Sequence, residues 1–119
     1  RKNVQELASL KRRVSNLPDE ITNVPGRKLE QEIDVSMLLP GQIRKRLRMF
    51  VLSDVVMLAE PSSRALKYTE HAQCLDLRYT SLLDNENLYN GFELQSASQK
   101  WTFACDTYED KTQIERLLK

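Results

Sequence analysis

One stretch near the middle of the chain limits the fold more than any other. Arg46, Arg48, Phe50 or Val51, and Leu52 run into the tight-turn pair Ser53-Asp54, and Val55-Val56-Met57-Leu58-Ala59 then returns. This pattern predicts a β-hairpin over residues 44–60. Two strands alone are marginal in water, so the hairpin needs further strands or a helix against its apolar face. The flanking residues supply them. Ile33, Val35 and Met37 alternate with Asp34 and Ser36, the period of a half-buried strand, before a Pro40-Gly41 turn. After the break at Pro61-Ser62-Ser63, Leu66–Leu77 reads as a longer strand and Tyr79–Leu83 as a short one. Asp84–Asn90 is a polar turn. Phe92 and Leu94 mark a sixth strand, and Trp101, Phe103 and Cys105 a seventh.

At both ends the period becomes helical. Val4, Leu7, Leu10, Val14 and Leu17 fall at spacings of three and four, which predicts a helix over Val4–Leu17 with one apolar face. Lys11, Arg12 and Arg13 suit the C-terminal end of the helix dipole, and Pro18 stops the helix. A helix this short must pack on something, either the following domain or a preceding one. Residues 18–28 read as a connector. At the other end, Asp106 or Thr107 can cap a helix with Glu109 and Asp110 in its first turn, and Ile114 and Leu117 supply apolar positions to bury. The predicted fold is mainly β with flanking helices. Seven antiparallel strands form a bent sandwich or barrel, capped at one mouth by the C-terminal helix.

The 119 residues, 40% of them hydrophobic, suffice for one domain and about one core. No apolar run approaches the ~20 residues of a membrane-spanning helix. The sequence begins at Arg1 with no signal pattern, so a piece of a longer protein is expected. Net charge is +1, which gives no support for nucleic-acid binding, but the charge is uneven. Residues 1–48 hold eleven Lys or Arg against six acids; residues 49–119 hold seven against eleven. Cys74 and Cys105 are expected to be reduced apolar side chains. With His71 the only histidine, no four-ligand zinc set forms.

Three glycines leave no room for a phosphate loop or a dinucleotide fingerprint, and one histidine offers little toward a catalytic triad. Glu30 and Glu32 share a strand face but read as solvated charge. No enzyme activity and no cofactor are expected. The sharper feature is Arg44-Lys45-Arg46-Leu47-Arg48. On a strand, Arg44, Arg46 and Arg48 point to one side, ~7 Å apart, where guanidinium groups can chelate phosphate oxygens. The preceding loop carries Leu38, Leu39 and Ile43, a combination suited to anionic lipid head groups. Equally, a charged edge strand protects against aggregation.

The segment Arg46–Leu58, together with Gly91-Phe92-Glu93-Leu94 and Lys100–Cys105 followed by a terminal helix, resembles a pleckstrin homology domain. Gly26-Arg27-Lys28-Leu29 is similar to the Gly-Arg-x-Leu lead-in of the version that follows the Dbl homology domain in Rho-family guanine nucleotide exchange factors. The resemblance implies two parts: residues 1–25 as helix and linker from a preceding domain, and residues 26–119 as the pleckstrin homology-like domain. Leu7, Leu10 and Val14 would make the interdomain contact. Ile114 stands where the family's terminal helix usually carries Trp. Ser36, Met37 and Leu38 stand where phosphoinositide-binding members place a Lys, so lipid binding through general charge is expected rather than a tight pocket.

What the resemblance implies is a cytoplasmic, non-catalytic module that positions or regulates an adjacent Dbl homology domain and contacts its Rho-family small GTPase. The alternative is a phosphoinositide-binding membrane module, peripheral at the inner plasma membrane, with Arg44, Arg46, Arg48, Lys28, Arg64 and Lys67 on phosphates. A third reading is a phosphotyrosine-binding-like relative that captures a peptide by strand addition.

Overall fold

The computed structural model describes the backbone over residues 2–119 and side chains from Leu7 onward. Helix α1 (Lys2–Arg13) leads into a two-residue strand β1 (Val14–Ser15) and a helical turn α2 (Asp19–Thr22). Seven strands follow: β2 (Leu29–Leu39), β3 (Ile43–Leu52), β4 (Val55–Pro61), β5 (Leu66–Gln73), β6 (Arg78–Ser81), β7 (Gly91–Gln95) and β8 (Lys100–Cys105). Helix α3 (Tyr108–Leu118) closes the chain. All the strands belong to one sheet in the order β1-β5-β4-β3-β2-β8-β7-β6. The hairpin read from residues 44–60 is β3 and β4, with Met49 opposite Leu58 and Val51 opposite Val56.

The sheet bends so that one face closes on itself. Val35, Leu47, Met49, Val56, Leu58, Phe92, Leu94 and Phe103 fill this inner core, and Ile114 of α3 enters it fully buried. The ring centroids of Tyr79 and Phe92 lie 5.4 Å apart, and those of Phe92 and Phe103 5.3 Å apart. Of the two candidate caps, Asp106 and Thr107, it is Thr107 that caps α3, accepting from the Asp110 N–H at 3.1 Å. A second core lies on the outer face of β3, β4 and β5. There Phe50, Leu52, Val55, Met57, Ala59 and Leu66 pack against Leu7, Leu10, Val14 and Ile21. Both faces of β4 and of the second half of β3 are therefore buried, which explains the unbroken apolar runs Met49–Leu52 and Val55–Ala59.

Four expectations need correction. The first helix ends at Arg13, not Leu17, because Val14 and Ser15 pair in parallel with Leu66 and Lys67, and Asn16 then takes a positive φ. The seven antiparallel strands expected are β2–β8, and β1 joins them as a two-residue parallel addition at the β5 edge. The strand read as Leu66–Leu77 stops at Gln73 and gives way to a 3-10 turn over Cys74–Asp76, and Tyr79–Leu83 is realised as Arg78–Ser81. Leu117 is 40% exposed; Leu118 instead packs against the core. The side chain of Val4, read as part of the apolar helix face, lies outside the described residues.

Candidate functional site

The long hairpin β2–β3 presents a ladder of alternating charge on its outer face. Period two puts Glu32, Asp34 and Ser36 of β2 on the same side as Arg46 and Arg48 of β3. Antiparallel register sets Asp34 opposite Arg48 and Ser36 opposite Arg46. The arginines are consequently paired. Arg48 donates from Nε to Asp34 at 2.9 Å and from Nη1 to Glu32 at 3.0 Å. Arg46 makes a two-pronged pair with Asp106, just past β8, with Nη1 at 2.8 Å, and lies 4.0 Å from Asp34. Glu32 also accepts from Arg13, the last residue of α1, whose guanidinium lies 5.8 Å from the Phe50 ring centroid. Six charged groups from α1, β2, β3 and the residue that follows β8 thus form one chain: Arg13, Glu32, Arg48, Asp34, Arg46, Asp106. Hydrogen bonding to Arg46 holds the Asp106 carboxyl below its ordinary range and raises Arg46, while the hydrogen bond to Asp34 raises Arg48.

The other residues singled out for lipid binding divide between the two ends of the sheet. Arg44 donates to the Asn87 carbonyl at 2.5 Å, beside the exposed Leu39 and Ile43 of the β2–β3 turn. Gly41 and Gln42 both take positive φ in that turn, which reverses the chain tightly and leaves Leu39 and Ile43 outward. Arg64, in the β4–β5 turn, and Lys67, opposite Glu60, lie toward this same end of the meander. Lys28 is placed elsewhere. Its N–H donates to Ser53, just past the opposite end of β3, about 30 Å from Arg44 at ~3.4 Å per strand residue. The structure therefore commits Arg46 and Arg48 to carboxylates, separates Lys28 from the rest, and leaves Arg44, Arg64 and Lys67 toward one end of the sheet, with Lys67 on the face that carries Lys45 and Glu60 rather than on that of Arg44.

At the helix side, Leu7, Leu10 and Val14 all face the sheet, with Leu10 fully buried. An open cleft of about 660 Å³ runs between α1 and the connector, with Leu7, Ala8, Thr22 and Val24 on its walls. One buried residue was quoted in the sequence only as part of a motif. Arg27 donates to both Asp54 oxygens (2.7 and 3.0 Å) and to the carbonyls of Glu20 and Ile21 (2.9 Å each), clasping the connector to the β3–β4 turn. Its hydrogen bonds hold the Asp54 carboxyl below the usual range. The Gly-Arg-x-Leu lead-in is the signal the sequence gives for it, and that motif names none of its acceptors. Of the cysteines, Cys105 is buried, its thiol pushed up to about 12 by desolvation, and Cys74 is half-buried; both are free.

Neither the protein-family models nor the curated proteins give a match to this sequence. Solved structures do. The DH/PH domains of PDZ-RhoGEF in complex with GTP-gamma-S activated RhoA match 98% of this chain, with a TM-score of 0.77 and 16% identity. An N-terminally truncated linker-DH/PH fragment of p115-RhoGEF matches 98% with a TM-score of 0.77 and 14% identity. Vav1 inhibited by an allosteric inhibitor matches 98% with a TM-score of 0.79 and 9% identity. This chain has the pleckstrin homology fold. It spans 38%, 38% and 32% of those solved chains, respectively. Because the matches reach 98% of the residues, α1 and the connector are shared along with the bent sheet and α3 of the pleckstrin homology fold.

Proposed function

We propose that this chain is the pleckstrin homology module of a Dbl-family Rho guanine nucleotide exchange factor, carrying the tail of the preceding Dbl homology helix. In this reading it is non-catalytic and cytoplasmic. It fixes the orientation of the exchange domain and, through it, the approach of a Rho-family GTPase. The observation that carries the reading is α1 itself, docked on the outer sheet face through Leu7 and Leu10, with Val14 of β1 beside them, and included in the match to DH/PH fragments. A helix held by a buried apolar face transmits its direction rigidly, and the Arg27 clasp stiffens the connector beside it.

The test is nucleotide exchange on a Rho-family GTPase, catalysed by a longer chain that includes the exchange domain. Replacing Leu7 and Leu10 by Ser should change the exchange rate about fivefold or more, the lower end of ordinary coupling energies, while Leu75→Ser leaves it unchanged. Circular dichroism would verify that both variants retain their strands. An unchanged rate in the folded Leu7/Leu10 variant refutes this role for α1.

A second reading, peripheral binding to phosphoinositide-containing membrane, is supported by the end of the sheet that combines exposed Leu39 and Ile43 with Arg44, Arg64 and Lys67. Apolar turn residues insert between lipids while the cations meet phosphates.

A further inference from the structure

We propose that Ser15 is a phosphorylation site for a protein kinase that reads basic residues ahead of its serine, and that the phosphate loosens the seat of α1. The inference rests on the role of α1 proposed above and names how that role would be regulated. Ser15 is the one serine or threonine of the chain with two arginines, Arg12 and Arg13, in the three positions before it. Kinases select substrates by charge pattern, and an acidic substrate cleft takes guanidinium groups two and three residues ahead of the acceptor. Arg12 and Ser15 are both exposed. The reaction is phosphoryl transfer from ATP. Ser15 Oγ bonds to the γ-phosphorus as the bond from that phosphorus to the bridging oxygen breaks; ADP leaves with that oxygen, and the hydroxyl proton passes to a base of the kinase.

The place of Ser15 in the fold gives the phosphate its effect. Strand β1 pairs with β5 through two residues, Val14 with Leu66 and Ser15 with Lys67, and Asn16 follows with a φ of 60°, which ends the pairing. So short a strand at a sheet edge opens without global unfolding. Opening costs the burial of Val14 and the Arg13–Glu32 pair, so the kinase acts on a minor open state in which residues 12–15 are extended. In the closed state the Ser15 hydroxyl donates to the Leu66 carbonyl at 3.2 Å. A phosphoserine dianion has no proton for that bond and sets negative charge against the carbonyl oxygen. It also lies just past the C-terminal end of α1, where the helix dipole disfavours an anion. Lys67, opposite in register, offers one cation, but an exposed ion pair is screened and weaker than these losses together. Val14 shares a core with Leu7 and Leu10, so loosening β1 loosens α1.

The experiment incubates the chain with MgATP and the catalytic subunit of cyclic-AMP-dependent protein kinase, a kinase of this class, and locates phosphate by tandem mass spectrometry. Phosphate should enter at Ser15. Arg12→Gln should slow its entry about tenfold or more. Leu10→Ala, which weakens the seat of α1, should speed it about threefold or more. Circular dichroism establishes that both variants keep their strands. No phosphate on Ser15 of the unaltered chain overturns the site; a rate indifferent to Arg12 overturns its recognition by charge, and a rate indifferent to Leu10→Ala overturns entry through an open state. Hydrogen exchange reads the second half. Backbone amides of residues 10–15 should exchange about fivefold faster or more after phosphorylation, and faster than in Ser15→Ala, which loses only the hydroxyl bond. Equal exchange before and after phosphorylation overturns the loosening. In the longer chain that includes the exchange domain, phosphorylation should shift nucleotide exchange in the same direction as the Leu7/Leu10 replacement. If that replacement changes the rate and the phosphate does not, regulation through Ser15 fails and the role of α1 stands. If neither changes the rate, the role of α1 fails, and regulation through it fails with it.

Discussion

The guanidinium of Arg27 is buried and makes four hydrogen bonds, two to the Asp54 carboxylate and two to the carbonyls of Glu20 and Ile21. Truncation to Ala strands both carbonyls and should cost about 2–3 kcal/mol in urea unfolding, with Lys recovering only a minor part because it lacks the planar fork. The partner makes a pH prediction. Arg27 lowers the folded-state pKa of Asp54, so the pair contributes stability above the ordinary carboxylate range and loses it as pH falls through the lowered folded value. The gap in urea midpoint between the unaltered chain and Asp54→Asn should therefore be full at pH 7 and should close under acid conditions. A gap that stays constant down to pH 2 would assign the effect to something other than ionisation. The residue scale is also where the sequence was least readable. Arg27 was visible as part of a lead-in motif, but its acceptors lie 27 positions along the chain at Asp54 and in a helical turn that the connector gave no sign of.

Among the described side chains Leu7 and Leu10 seat helix α1, and its own propensity contributes little at this length. Leu10 is fully buried against the second core, so Leu10→Ala should destabilise the chain by about 2–5 kcal/mol. Leu75 is 98% exposed in the 3-10 turn, and Leu75→Ser should stay within about 0.5 kcal/mol of the unaltered chain. Equilibrium denaturation of the two variants checks both, and similar losses would mean that α1 is not seated as described. The helical period was legible because Leu7, Leu10 and Val14 do share a face. The helix boundary was not, since Val14 satisfies the apolar stripe equally well as a strand residue paired with Leu66. Leu117 was misplaced for a related reason: spacing locates a face, but the contact with the sheet decides how far round the helix that face extends. Ile114 was placed correctly because it stands at the centre of the face.

Across the whole molecule, one sheet carries two apolar cores, an inner one closed by α3 and an outer one covered by α1 and α2. Removing residues 1–17 would leave the inner core intact and expose Phe50, Leu52, Val55 and Met57. The shortened chain should keep its strand signal in circular dichroism, melt at lower temperature and bind an environment-sensitive apolar dye. Dye binding no greater than that of the full chain would contradict the two-core arrangement. The sequence alone determined the alternation of periods, the β3–β4 hairpin and the lining of the inner core, because these depend on near neighbours and on the two-residue and 3.6-residue repeats. Even its ambiguity between Phe50 and Val51 had a cause, since both are buried on opposite faces of β3. Only the tertiary structure decided what the arginines of β3 meet. Glu32 and Asp34 reach Arg48 through strand register, and Asp106 reaches Arg46 from 60 positions away at the end of β8. A charge in a sequence shows what a side chain can attract; the folded chain decides which partner already occupies it.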